Sequence, residues 1–345
     1  FFVLSACSVH GILTKAAAAP SEYPSPLKPR QSLLSMLEKF GSAISWNCYR
    51  SKSYRGLTNL NSCYSLKAMG DATVKIGYWE PHSSSIDFCE SNYLHTSYVA
   101  EPHNVWSSVV GLSIIGLLGF FKANPTHEWR FTLSHLTLIL IGIGSACLHG
   151  TLHWVYQSSD ELPMIYLIIC LVYAVIESES PRGKPRYPWL PYVMVVLAAV
   201  NTAVYYTFQH LYWIFLLTYT LGVAVLLGGM LRLVFLTKGR DPSIKTIYRF
   251  AIISYAVGGA VWAFDMLYCN TGVLPVANMI PGWARGVTPH VIWHISAGAS
   301  TYYTILAQVC CRLDSLGIGY KISHVFGRLL PFVTITSSED AMKRD

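Results

Sequence analysis

The sequence predicts an all-α integral membrane protein, a seven-transmembrane-helix bundle. Composition comes first: of 345 residues, 52% are hydrophobic and only 12% are Asp, Glu, Lys or Arg. A soluble domain carries about twice that charged share, roughly 25%. Second, seven apolar stretches approach the ~20 residues that a helix needs to cross a bilayer. They run at about 102–121, 131–149, 161–177, 188–208, 211–231, 249–268 and 290–310. Third, nothing resembles the ten-residue alternation of an outer-membrane barrel. This composition excludes a disordered or coiled-coil protein and disfavours a water-soluble enzyme. The formal charge of +7 is dispersed between apolar stretches, so it reads as a topology signal and no nucleic-acid partner is expected. Nine cysteines without a CxxC pair rule out a zinc finger.

Each span has its own support. Pro163, Pro188 and Pro289 stand where a first helical turn tolerates a missing N–H, and mark the expected starts of spans 3, 4 and 7. Span 3 is the shortest and begins beside Asp160 and Glu161. Basic residues gather in alternate loops: Lys122 and Arg130, then Arg182, Lys184 and Arg186, then Arg232, Lys238, Arg240, Lys245 and Arg249, then Arg312, Lys321 and Arg328. The intervening loops carry only Arg285. By the positive-inside rule the C-terminus is cytosolic and the N-terminal side luminal. Residues 76–313 form the membrane domain and 314–345 a cytosolic tail. Residues 1–75 are rich in Ser, Lys, Pro and Ala and are read as a disordered extension or a mis-extended gene model. Their apolar opening is too short to span and looks like the remains of a signal h-region.

Ionisable residues in spans are costly and mark function by default. Ser145 and His149 close span 2, Asp160 and Glu161 open span 3, Asp265 ends span 6, and His290 and His294 open span 7. The predicted topology puts all of them on the luminal face. His290 and His294 are four apart and share a helical face. With His149 they supply three imidazoles, the layout of a catalytic zinc with an open fourth position. An isolated HxxxH pair is more often two hydrogen-bonded histidines; a third His, a carboxylate and a serine at the same depth favour zinc. Asp160 is the candidate general base for the activated water, with N-capping of span 3 as its structural alternative. Glu161 is read as an interfacial carboxylate. Ser145, one turn from His149, is placed to donate to a developing oxyanion, or simply to pack against a neighbouring helix. Before span 1, Asp87, Glu90, Asn92 and Glu101 suit an oxygen-ligated cation, most simply Ca²⁺, or form a solvated acidic loop.

These residues carry a family likeness. Gly77–Pro81, Ser84–Tyr93 and Ala100-Glu101 resemble the N-terminal signature of alkaline ceramidases. Gly144–His149 with Asp160–Met164 resembles the family's second block, and His290–His294 its third. Trp262–Asp265 and Cys269 also fit the pattern, and the likeness covers about 76–320. It implies a seven-helix membrane fold cleaving ceramide to a sphingoid base and a fatty acid. It also implies zinc on His149, His290 and His294, Asp160 activating water and Ser145 assisting. Calcium would be held by Asp87, Glu90, Asn92, Glu101 and the carbonyl of Phe88. Phe88 stands where the family usually has Trp, and Pro102 and His103 where it has aromatic residues. Cys89 and Cys269 both fall on the predicted luminal side, in a compartment that permits disulfides. They are expected to be bridged, with two buried free thiols as the alternative.

Two functional classes follow. One is a zinc-dependent amidohydrolase of the endoplasmic reticulum or Golgi acting on ceramide, phytoceramide or dihydroceramide, calcium-regulated and without an obligate protein partner. The other is a seven-span zinc receptor or signalling protein with little turnover, which would need neither Asp160 nor Ser145. A transporter is disfavoured because the charges cluster at one face rather than at the midplane.

Overall fold

The computed structural model describes residues 77–208, 211–268, 288–325 and 330–336. The N-terminal extension and Cys269 lie outside them. Except for Leu267 and Tyr268, the described residues fall in one compact unit, Val74–Met266 with Val276–Asp345. Long helices follow one another: α1 (Pro102–Lys122), α2 (Trp129–Thr151), α3 (Trp154–Ile176), α4 (Leu190–Thr207), α5 (Tyr212–Leu231), α6 (Pro242–Tyr268) and α7 (Pro289–Ser315). A π-helical segment, Val109–Ile114, interrupts α1, and another, Arg232–Leu236, extends α5.

The reason for these helices is visible in α2. Leu138, Ile141, Ser145, Leu148 and His149 are buried at helical spacing, while Leu133, Leu136, Leu140 and Ile143 are exposed. A helix apolar on its outer as well as its inner face belongs in lipid. α1 through α6 are long and apolar enough to cross a membrane. α7 has 27 residues but is not among these six. Its inward faces carry His290, His294, Ser300, Gln308 and Arg312, all buried, so it is the polar centre around which more apolar helices pack.

Several boundaries differ from expectation. α3 starts at Trp154, so Asp160 and Glu161 sit in its second turn and Pro163 lies inside the helix. Asp160 is therefore not an N-cap, and Glu161 is buried rather than interfacial. α4 takes Pro191, not Pro188, in its first turn. α6 begins at Pro242, seven residues before the expected apolar start. Pro289 does open α7, after Thr288. The expected all-α tail contains an antiparallel ribbon, β1 (Tyr320–Val325) with β2 (Leu330–Ile335), in which Ile322 faces Val333. Buried Val333 joins the core cluster of Ile305, Leu306 and Val309, and the Tyr302 hydroxyl donates to Pro331 O at 2.7 Å.

Candidate metal centre

The end of α2 builds the site. Leu152 takes a left-handed conformation, φ 55°, and its N–H donates to Leu148 O, ending the helix. α3 begins two residues later, so His149 and Asp160 lie at the same end of an antiparallel pair. The last carbonyls of a helix lack intrahelical donors. Here the segment before α1 supplies them: Glu101 N–H to His149 O at 2.9 Å, Ala100 to Gly150 at 3.0 Å, and Ser84 to Leu152 at 3.0 Å. That docking delivers Glu101 to His149. Nearby, Tyr93 is buried with Ala100 and Leu152. Burial, reinforced by the negative charges of Glu80 and Glu101, holds its phenol above the ordinary value.

Three imidazoles converge. One ring nitrogen from each of His149, His290 and His294 lies within 4.8 Å of the others, and all three side chains are buried. His149 Nε2 and His290 Nδ1 have no hydrogen-bond partner among the described residues. Buried polar atoms are ordinarily satisfied, so two unpartnered ring nitrogens within a tri-histidine cluster fit a cation. Three neutral imidazoles suit zinc or another borderline transition metal. The Phe88 ring stacks on His290 at 3.8 Å between centroids and lies 5.0 Å from His149. The residue expected to offer a carbonyl thus also walls the histidines with its side chain.

Glycines set how closely the helices carrying these groups approach. A Cβ on Gly144 would collide with the Ser159 carbonyl and lie 3.0 Å from Asp160 N. The missing side chain lets the first turns of α3 approach α2 at backbone distance, one residue from Ser145. Ser145 Oγ also lies 3.4 Å from His294 Nε2 and 3.1 Å from Ser108 Oγ. Gly298 on α7 faces Gly111 on α1 so tightly that a Cβ on it would strike Gly111 O. Small residues of this kind let membrane helices meet at backbone distance. One turn away on each helix, Ser107 Oγ reaches His294 Nδ1 at 2.8 Å.

The other polar residues are engaged. Glu161 accepts from Gln157 Nε2 at 2.9 Å and from the Tyr205 hydroxyl at 2.7 Å. It also borders a cavity with Tyr205, Tyr212 and Phe215. Glu90 accepts from His103 N–H at 2.7 Å and Asn104 N–H at 2.8 Å, capping α1, whose first residue is Pro102. Glu101 Oε2 lies 2.6 Å from His149 Nδ1 and accepts from Asn104 Nδ2 at 3.2 Å. Asn92 Nδ2 donates to Asp87 Oδ1 at 3.3 Å, and Asn92 Oδ1 is buried without a hydrogen-bond partner among the described residues. Cys89 is disulfide-bonded, and its N–H lies 3.4 Å from Asp265 Oδ2; Cys147, Cys170, Cys310 and Cys311 are free. The reading of the sequence did not foresee Ser107, Ser108 or Asn104. The signal available was the spacing of Asn104, Ser107, Ser108 and Gly111 on one face of span 1.

Helices apolar toward lipid, enclosing three converging imidazoles beside a buried serine, define a multi-pass membrane protein with a buried tri-histidine centre. The chain belongs to the ceramidase family, whose model matches residues 80–334. It is similar to an alkaline ceramidase of Arabidopsis thaliana, 28% identical over 259 residues covering 75% of this chain and 95% of the relative. Alkaline ceramidase 3 of Mus musculus is likewise 28% identical, over 266 residues, with coverage of 75% and 95%. An alkaline ceramidase of Saccharomyces cerevisiae is 27% identical over 268 residues, covering 72% and 83%.

Proposed function

We propose that this protein hydrolyses the amide bond of ceramides, releasing a sphingoid base and a free fatty acid. The observation that carries the reading is the convergence of three buried imidazoles beside Ser145, in a chain of this family. Zinc held by His149, His290 and His294 would supply Lewis-acid polarisation of the amide and acidify a water. Asp160 takes the proton of the attacking water and passes it to the departing amine nitrogen as the C–N bond breaks and the new C–O bond forms. Ser145 Oγ stabilises the developing oxyanion. Phe88 excludes water from the face of His290 on which it stacks.

The finer parts of this reading are that all seven helices span the membrane, the N-terminal side and the site facing the lumen of the endoplasmic reticulum or Golgi. Calcium belongs to it as well, on Asp87, Glu90, Asn92, Glu101 and the Phe88 carbonyl. Its support is the open Asn92 Oδ1 beside Asp87; each carboxylate also keeps lone pairs beyond the hydrogen bonds it accepts. A Cys89–Cys269 bridge completes the reading. The test is metal analysis of the purified protein alongside hydrolysis of a panel of ceramides, phytoceramides and dihydroceramides. About one zinc per chain with turnover of at least one class is expected. Zinc without turnover would favour a receptor-like protein, and turnover that survives full metal removal would overturn the mechanism.

A further inference from the structure

We infer that the first two turns of α1 are positioning machinery for the metal centre, with Ser107 fixing the tautomer of His294 as Glu101 fixes that of His149. The inference rests on the zinc reading above and concerns residues that do not themselves bind the metal.

The direction of each hydrogen bond follows from what its partner can donate. An ionised carboxylate only accepts. Glu101 Oε2, 2.6 Å from His149 Nδ1 and fully buried with it, therefore requires the proton on Nδ1. The lone pair is then on Nε2, the nitrogen of His149 left without a partner among the described residues. Ser107 has one hydroxyl proton, which it donates to Asn104 O at 3.1 Å, one turn back. Its oxygen is then an acceptor for His294 Nδ1–H at 2.8 Å; Ser108 Oγ, which also donates to Asn104 O, is the more distant second neighbour of that nitrogen at 3.4 Å. The second lone pair again falls on Nε2, the His294 nitrogen that faces Ser145. Two helices would thus present matched Nε2 donors to one point because one segment, Glu101–Ser108, holds both Nδ1 atoms.

The backbone supports this arrangement. Pro102 at the first position has no N–H to satisfy, and Glu90 caps the next two N–H groups. Thr288, just before α7, donates to Asn104 Oδ1 at 3.2 Å. Asn104 therefore ties the start of α1 to the start of α7 while its carbonyl takes the Ser107 proton. Gly111 and Gly298 set the approach of the two helices one turn further on. Partners that hold the far nitrogen of a metal-bound imidazole typically contribute about 10–100-fold in metal affinity.

The test is zinc affinity by chelator competition on the purified full-length protein, without substrate, together with the visible spectrum of the cobalt-substituted form. Ser107→Ala should weaken zinc by about 10–100-fold and alter the cobalt spectrum. Ser107→Thr, which keeps the hydroxyl, should recover most of the affinity. Ser113→Ala is the control: it removes another α1 hydroxyl, bonded to Ile139 O at 3.0 Å, and should leave both readouts unchanged. Unaltered affinity in Ser107→Ala overturns the inference alone, as does equal weakening by Ser107→Ala and Ser113→Ala. A folded Ser107→Thr that does not recover also overturns it. If the wild type holds no zinc, the inference and the proposed function fall together.

Discussion

At the end of α7 away from the histidines, Arg312 is buried, its Nε 2.7 Å from Glu128 Oε1 and its guanidinium donating to Ser178 O and Ser180 O. Arg130 binds the other oxygen of Glu128 and donates to Glu177 O at 2.7 Å. Arg240 pairs with Asp314 at 3.0 Å. At the histidine end, roughly 33 Å along the helix from its 1.5 Å rise per residue, the buried groups are imidazoles, hydroxyls, amides and carboxylates such as Glu90 and Glu101, with no buried arginine among the described residues. There His149 Nε2 and His290 Nδ1 stay open. Both ends bury polar groups that cost energy in an apolar surrounding. One closes its three buried arginines onto named acceptors and so holds helices together, while the other gathers three imidazoles from two helices, two of them with an unpartnered nitrogen. The difference separates a structural polar network from a site.

The largest effect should come from removing one of the three converging imidazoles. His290→Ala or His294→Ala leaves two ligands where a catalytic zinc takes three from the protein. Metal content and ceramide hydrolysis should vanish together, while the chain still assembles. Metal analysis and turnover on the same preparation decide it: a variant that keeps full zinc and full activity would show that the convergence is only packing. Asp160→Asn comes next. It preserves size but cannot take a proton. Zinc should stay bound while hydrolysis drops by about 10²–10⁴. Near wild-type turnover would remove Asp160 from the chemistry.

The reach and the limits of the sequence show in particular residues. His290 and His294 share a helical face by spacing alone, and loop charge placed His149 at the same end. The contact of Glu101 with His149 depends on a chain reversal that no local pattern encodes, because Ser84, Ala100 and Glu101 satisfy carbonyls at the end of α2 about fifty to seventy positions later. Ser107 and Ser108 look like ordinary small residues of a membrane helix until the partner helix is in place. α3 starts seven residues before the expected apolar stretch at 161, because Gln157, Ser158 and Asp160 break the run of apolar residues. Gln157 is instead buried, paired with Ser85 and Glu161, so tertiary contacts override the local signal. The polarity of α7, a poor match to a lipid-facing helix, is what its central position requires.

The structural end can be broken separately. Arg312→Met keeps much of the side-chain volume but leaves Glu128 with Arg130 alone. Removing one partner of a buried pair costs about 3–5 kcal/mol. Glu128 retains one guanidinium and is 21% exposed, so about 3 kcal/mol is expected. Thermal unfolding in detergent should show a lower midpoint, with zinc affinity and turnover at low temperature unchanged. Loss of zinc at a temperature where the variant is folded would mean that the two ends are coupled.

The smallest expected effect sharpens the comparison most, because it falls on a residue with two readings. Glu90 was expected to bind calcium, yet both its oxygens receive backbone N–H groups of α1. Glu90→Ala removes cap and charge together, and losing a cap costs about 1 kcal/mol. Glu90→Gln keeps an oxygen to accept from an N–H but gives up the charge that a hard cation favours. If Glu90 serves both roles, the Ala variant unfolds at a lower temperature and loses calcium response. The Gln variant, which keeps one acceptor oxygen for the two N–H groups, then falls less in midpoint than the Ala variant and loses the response. Zinc should remain near one per chain in both, since Glu90 holds α1 by its backbone while Glu101 and Ser107 contact the histidines. A full calcium response in both variants would leave Glu90 as a cap alone, and loss of zinc from Glu90→Gln would show that its charge, and not only its hydrogen bonds, reaches the metal centre.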